Sequence, residues 1–275
     1  MIPAPFDYAC AESIDQVVEL LSSNEDAKVI AGGQSLLPLM RLRLARPAML
    51  VDVSRIDELS YIREDGDRVA IGAGTRHHDV AGSELLRDAC PIVPFTAAEI
   101  GDPQVRHVGT IGGSCAHADP ASDMPAVLLA LGAELAVRGA NGASRVVAAA
   151  DFFKGLFEPD LAPTEVLTEI RVPKTPGGWS YVKFRRRAND WAIVAVAAVA
   201  GRNGGAAVAL ANMGNRPLRA AGVEEELAAG SDPATAARRA PEGTSPPSDV
   251  FGSAEYRQEL AKVIVRRALE EAMSR

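Results

Sequence analysis

Two glycine pairs carry the chemistry most open to reading in this chain: Ala31-Gly32-Gly33-Gln34-Ser35 and Thr110-Ile111-Gly112-Gly113-Ser114. Each follows an apolar run and sets bare backbone amides beside a hydroxyl. Glycine reaches positive φ without penalty and lets a ligand approach the main chain, while successive N–H groups form an anion-binding nest. A single Gly-Gly pair is ordinarily a plain turn. Two hydroxyl-flanked copies, in a chain with no other nucleotide motif, suggest two loops closing on one diphosphate.

The competing phosphate motifs are excluded directly. No G-x-x-x-x-G-K-[ST] occurs. The nearest approach to a dinucleotide fingerprint, Gly72-Ala73-Gly74-Thr75-Arg76-His77, has a histidine where a third glycine would allow close helix packing. Neither a P-loop nor a Rossmann site is expected.

Other polar residues admit two readings each. Asp123 can orient a ribityl or ribose hydroxyl, or cap the helix that begins at Met124-Pro125. His77 and His78 are adjacent, so their side chains diverge and ordinary surface or loop duty is favoured over a shared metal. His107 and His117 flank the second glycine segment and are better placed to line a site. Lys183, Arg185 and Arg187 share one strand parity and could present cations to a diphosphate, although such a run is most often a solvated strand end. Trp191, after the Asn189-Asp190 turn, suits either a core or stacking on a flat cofactor. No Gly-x-Ser-x-Gly elbow is present, and neither Ser35 nor Ser114 has a local catalytic base.

The elements that must position these residues follow from periodicity. Ile14–Leu21 has helical apolar spacing, Lys28–Ala31 is a short strand, Ser35–Leu44 is helical and Met49–Val53 is a strand, together a βαβ-type unit. Ser35 then stands at a helix N-terminus, where the Gly32-Gly33 amides also gather. From Leu59 to Pro176 short strands and turns at Asp65-Gly66 and Asn141-Gly142 alternate with helices at Val80–Asp88 and Met124–Leu131. Pro173–Gly178 is a hinge, followed by strands at Ser180–Arg186, Ala192–Ala200 and Ala206–Ala211, and helices at Val223–Ala229 and Ala254–Met273. Pro241–Ser248 is an exposed connector.

Composition bounds the rest. A chain of 275 residues with 47% hydrophobic content buries a large core in two or three domains. Its longest apolar run, the nine residues Ala192–Ala200, is about half a membrane span of ~20 residues and so reads as a buried strand. The N-terminus has neither a basic start nor an apolar signal core, so a cytoplasmic location is expected. A net charge of −7 argues against a nucleic-acid surface. The three cysteines, Cys10, Cys90 and Cys115, lie far apart, whereas an iron–sulfur cluster ordinarily needs four thiolates. No zinc spacing is present either, so no metal site is expected.

At these residues the chain resembles the FAD-binding medium subunits of the molybdenum hydroxylases, of the carbon monoxide dehydrogenase and xanthine dehydrogenase type. The similarity covers nearly the whole length. It rests on the two glycine segments, Asp119-Pro120-Ala121-Ser122-Asp123, the stretch from Phe152-Phe153-Lys154-Gly155 to Leu167-Thr168-Glu169-Ile170, Asn215-Arg216-Pro217-Leu218-Arg219-Ala220, and Ser253-Ala254-Glu255-Tyr256-Arg257.

The resemblance implies an α+β chain: a two-subdomain FAD-binding fold of the vanillyl-alcohol-oxidase/PCMH type (residues 1–54 and 55–176), then a small α+β C-terminal domain (177–275). Carried over by position, Lys28, Val29, Ile30, Ala31, Gly32, Gly33, Gln34 and Ser35, with Thr110, Ile111, Gly112, Gly113 and Ser114, would bind the diphosphate and neighbouring ribityl. Asp123 would hydrogen-bond the flavin's sugar-derived chain, Leu167 would meet the adenine side, and Lys183 would approach the cofactor's polar groups. Trp191 falls where an aromatic residue nears the isoalloxazine, and tryptophan replaces the tyrosine familiar there. Ile100 corresponds to an apolar lining position. The implied partners are a small [2Fe-2S] subunit and a large molybdopterin subunit, with a dimer of heterotrimers as one arrangement. The implied role is to pass electrons from the clusters through FAD to a quinone, NAD or oxygen. A stand-alone flavoprotein acting on a small molecule and a flavin-free interaction module are the alternatives.

Overall fold

The computed structural model describes residues 2–175, 177–201 and 205–275. Pro176, within the expected hinge and at the expected end of the second subdomain, lies outside them.

The N-terminal part runs β1 (Asp7–Cys10), α1 (Ile14–Ser23), β2 (Ala27–Ile30), α2 (Leu36–Arg41) and β3 (Met49–Asp52). Its strands are parallel in the order β1-β3-β2. Ile14, Val17, Val18 and Leu21 recur on one face of α1 and bury against Val51, Val53, Ile56 and Leu59. Ser13 caps that helix by accepting from the Gln16 amide. β1 lacks a sequence signal because Asp7 and Tyr8 are exposed and its four residues do not alternate. α2 stops at Arg41, short of the expected Leu44. Arg43 turns to φ 60° and the Leu44 and Ala45 amides both return to the Leu39 carbonyl, a left-handed helix stop.

The middle part begins with the hairpin β4 (Ile62–Asp65) and β5 (Arg68–Gly72). Six helices follow: α3 (His77–Gly82), α4 (Glu84–Ala89), α5 (Ile92–Glu99), α6 (Pro103–Val108), α7 (Ile111–His117) and α8 (Asp123–Leu131). Then come β6 (Glu134–Arg138), β7 (Ser144–Ala148), α9 (Ala149–Phe152), β8 (Phe153–Gly155), β9 (Glu158–Pro159) and β10 (Val166–Pro173). The main sheet has the order β4-β5-β10-β6-β7 and is antiparallel throughout. The expected Val80–Asp88 helix is two helices. Ser83 leaves the helical region between them and caps the second, accepting from the Leu86 amide at 3.2 Å.

The C-terminal part is an antiparallel sheet of β11 (Trp179–Phe184), β12 (Val194–Ala200), β13 (Ala206–Ala211) and β14 (Leu218–Arg219), followed by α10 (Ala221–Ala228), α11 (Pro233–Ala236) and α12 (Ala254–Ser274). β12 is buried on both faces, which explains its unbroken apolar sequence. Ala195 and Ala197 join the core of the middle part, whereas Val194, Val196 and Ala198 join a separate core under α10 and α12. Ala195 and Ala197, with Ala209 and Ala211 of β13, form a small-residue face on which α8 packs. That packing brings the start of α8 to β11, where the site is assembled.

Candidate cofactor site

The first glycine segment leaves β2 and enters α2. Gly33 has φ 67°, which favours glycine. Gly32 is required by contact, since a Cβ there would lie 2.4 Å from the Val108 carbonyl oxygen. Among the described residues the amides of Gly32, Gly33, Gln34 and Ser35 donate to no chain acceptor. Ser35 precedes α2 and its hydroxyl makes no capping bond. Four consecutive free donors and a free hydroxyl are the chemistry of an anion nest.

The second segment is not the loop expected from the sequence. Thr110 is the N-cap of α7, and its Oγ1 accepts from the Gly113 amide at 3.0 Å. The Ile111 amide donates to the Thr75 carbonyl, that of Gly112 to Ala73 and that of Ser114 to Thr110. These donors are therefore committed within the chain, and what the glycines contribute is surface without side chains. A Cβ on Gly112 would meet Ala73 Cβ at 2.5 Å, whereas one on Gly113 would meet only Thr110 Oγ1, at 2.8 Å. Thr110 standing directly before the apolar Ile111 was the available signal for this cap.

Asp123 opens α8 but does not cap it. Its carboxylate, 7% exposed, accepts from Tyr181 Oη at 2.5 Å and from Lys183 Nζ at 2.9 Å. Lys183, with its side chain only 4% exposed, also reaches the Glu99 carbonyl. Arg185 pairs with the Glu99 carboxylate at 2.6 Å. Lys183 and Arg185 are thus paired rather than presented as free cations. Burial pushes the Asp123 carboxyl above the usual carboxylate range, with the Lys183 charge and the Tyr181 hydroxyl opposing it. Burial, with the Asp123 charge, also raises the Tyr181 phenol well above its ordinary value. Tyr181 carried no sequence signal, since its partner lies 58 residues away.

Asp123 and Lys183 share one cavity of about 1130 Å³ with residues of both glycine segments. Lys28, Val29, Ile30, Ala31, Gly32, Gly33, Gln34 and Ser35 line one wall. Thr110, Gly112, Gly113 and Ser114 line another, and Ile100, Asp123, Leu167, Lys183 and Trp191 complete it. Ile111 stands apart, with its side chain fully buried in the core of the middle part. Trp191 is 57% exposed, so it is a rim residue and not core.

The histidines divide by environment. His77 is buried, lines the cavity, and has no partner for Nδ1 among the described residues; burial pushes it down to about 4. His117 also lines the cavity and stacks on Phe157 at 4.9 Å. His78 and His107 stack on each other at 3.9 Å, so His107 is not part of the lining. Cys115, beside the second glycine segment, is a core thiol pushed up to about 12 by burial. Among the described residues no group of three or more His, Cys, Asp or Glu could hold a metal ion. No described helix is long and apolar enough to cross a membrane.

Unpaired amides in one wall, bare helix surface in a second and a buried, charge-compensated carboxylate in a third define a binder of an extended nucleotide cofactor. The cavity has the volume for it, exceeding the ~300–1,000 Å³ usual for small-molecule sites. Residues 4–175 match the family described as FAD binding domain in molybdopterin dehydrogenase, and residues 179–272 match the CO dehydrogenase flavoprotein C-terminal domain. The chain belongs to the FAD-binding medium-subunit family of the molybdenum-hydroxylase-type dehydrogenases. It is 43% identical to the carbon monoxide dehydrogenase medium chain of Afipia carboxidovorans, over 100% of this chain and 99% of that one. It is 38% identical to the glyceraldehyde dehydrogenase medium chain of Sulfolobus acidocaldarius, over 98% of this chain and 99% of that one. Among solved structures, carbon monoxide dehydrogenase from Hydrogenophaga pseudoflava superposes with a TM-score of 0.95 at 39% identity, covering 100% of this chain and 99% of that one. Quinoline 2-oxidoreductase from Pseudomonas putida 86 superposes at 0.93 and 34% identity, covering 100% and 99%.

Proposed function

We propose that this chain is the electron-transferring subunit of a three-part molybdenum hydroxylase, with FAD in the cavity between its parts. The observation that carries this is the run of free amides from Gly32 to Ser35, which lines the same cavity of dinucleotide scale as the bare surface of Gly113. The division into residues 1–54, 55–176 and 177–275 is part of this reading, because each section carries a main sheet of its own.

FAD supplies the capacity to accept electrons from one partner and release them to another, while the chain supplies position and electrostatics. The Gly32–Ser35 amides and the Ser35 hydroxyl bind the diphosphate, and Lys28 adds positive charge at the same wall. Thr110, Gly112, Gly113 and Ser114 let the cofactor lie against the first turn of α7. Asp123 accepts from the hydroxyls of the sugar-derived chain, and Lys183 keeps that carboxylate ionised. Leu167 packs beside the adenine. Ile100 and the exposed Trp191 border the isoalloxazine and restrict water there.

The three scattered cysteines leave this chain without the four thiolates of a cluster, so electrons would arrive from a partner's [2Fe-2S] centres. Relatives of one architecture are named for carbon monoxide, glyceraldehyde and caffeine. That range supports a medium subunit that does not choose the substrate. Coexpression with small iron–sulfur and large molybdopterin subunits, followed by size-exclusion chromatography, tests the assignment. The three are expected to coelute, and substrate is expected to reduce the flavin only when all are present. Steady oxidation of an organic substrate by the lone chain would overturn it in favour of a stand-alone flavoprotein.

A further inference from the structure

We infer that Tyr181 is a positioning residue of the cofactor site, through which the C-terminal sheet sets the acceptor geometry of Asp123. The inference rests on reading Asp123 as the acceptor for the flavin's sugar-derived chain. It adds a residue that does not line the cavity and acts only through another.

Tyr181 and Lys183 lie two apart on β11 and so project from the same face of the strand. Each takes a different oxygen of the carboxylate, Tyr181 donating to Oδ1 and Lys183 to Oδ2. A carboxylate offers about four lone-pair sites, so both oxygens keep capacity for donors in the cavity. With two fixed donors on separate oxygens, the carboxylate plane cannot rotate freely about its terminal torsion. Lys183 alone would hold one corner only. The Tyr181 ring is 5% exposed in the core of the middle part, so its hydroxyl arrives on a rigid arm. The contact joins α8 to β11, so the C-terminal sheet completes the acceptor.

The second consequence concerns ionisation. The groups facing Asp123 are Lys183 and Tyr181 from β11 and Glu99 from α5, and Arg185 is paired with Glu99. Burial and Glu99 favour the neutral acid, while Lys183 and Tyr181 favour the carboxylate. Removing the Tyr181 hydroxyl therefore raises the pH at which the acceptor is lost.

The test is FAD affinity of the full chain, read by flavin fluorescence quenching across pH, in Tyr181→Phe, Asp123→Asn and the double variant. Phenylalanine retains the packed ring. Tyr181→Phe should weaken FAD on the order of tenfold, the size of one lost hydrogen bond to a charged group. Its acid loss of affinity should begin at a higher pH than in the parent chain. In the Asp123→Asn background the same change should add less than about twofold, because the group it positions is gone. Ser180→Ala, on the opposite face of β11, should leave FAD affinity unchanged. Equal weakening by Tyr181→Phe in both backgrounds, or by Ser180→Ala, would assign the effect to strand packing and overturn the inference. Unchanged affinity in Asp123→Asn would instead overturn the reading of Asp123 on which it rests.

Discussion

Gly32 lies against Val108 so closely that a Cβ would stand 2.4 Å from the Val108 carbonyl oxygen and 2.6 Å from the Gly109 Cα. The first glycine segment is therefore packed on the residues that lead into the second. The two segments bound one cavity from adjoining walls because glycine lets their backbones meet.

Gly32→Ala should separate these backbones, since both atoms it would meet are main-chain atoms that cannot move aside as a side chain could. Overpacking of this kind costs about 1–3 kcal/mol, and it falls on the wall that carries the free amides. The expected outcome is a lower thermal midpoint together with loss of bound flavin, checked by calorimetry and absorbance on the same preparation. Gly33→Val should lose affinity through a different cause, a strained φ of 67° in the nest, worth about 1–3 kcal/mol.

The first segment was legible because its glycines, free amides and position between a strand and a helix all follow from local spacing. The second was legible as a place but not as a conformation, because Thr110 turns it into a helix start. α5 escaped recognition because apolar residues occupy most of its eight positions, leaving no amphipathic period to read. Asp123 stood out in sequence, but its partners Tyr181 and Lys183 belong to a strand set opposite it by α8 packing on alanines. Such a pairing is tertiary, and no local pattern encodes it.

The glycines of the second segment should separate in their effects. Gly112→Ala forces a Cβ to 2.5 Å from Ala73 Cβ and the Ala73 carbonyl, so it should destabilise the fold by about 1–3 kcal/mol. Gly113→Ala meets only the capping Thr110 hydroxyl and lies on exposed cavity surface. It should reduce FAD affinity while moving the unfolding midpoint less. Urea unfolding of the apo chain beside FAD titration checks the contrast, and equal stability losses would refute it.

His77 predicts a pH dependence. Its value falls from 6.5 to about 4 in the folded chain because burial penalises the imidazolium. The unfolded chain binds the extra proton between these values, so stability is full above pH 6.5 and declines as pH falls towards about 4. At about 1.4 kcal/mol per pH unit the decline is on the order of 3 kcal/mol. His77→Gln should flatten that part of the profile, measured by urea unfolding at a series of pH values. An unchanged slope would place the acid sensitivity elsewhere.

One FAD per chain should be held without a covalent bond in the cavity that Gly32–Ser35 and Gly113 line. Purified chain should show a flavin absorption spectrum, and acid should release the flavin for chromatography. FAD should be recovered in equal amount to protein. Recovery of FMN, flavin retained in the precipitated protein, or a chain that takes up no FAD on reconstitution would contradict it.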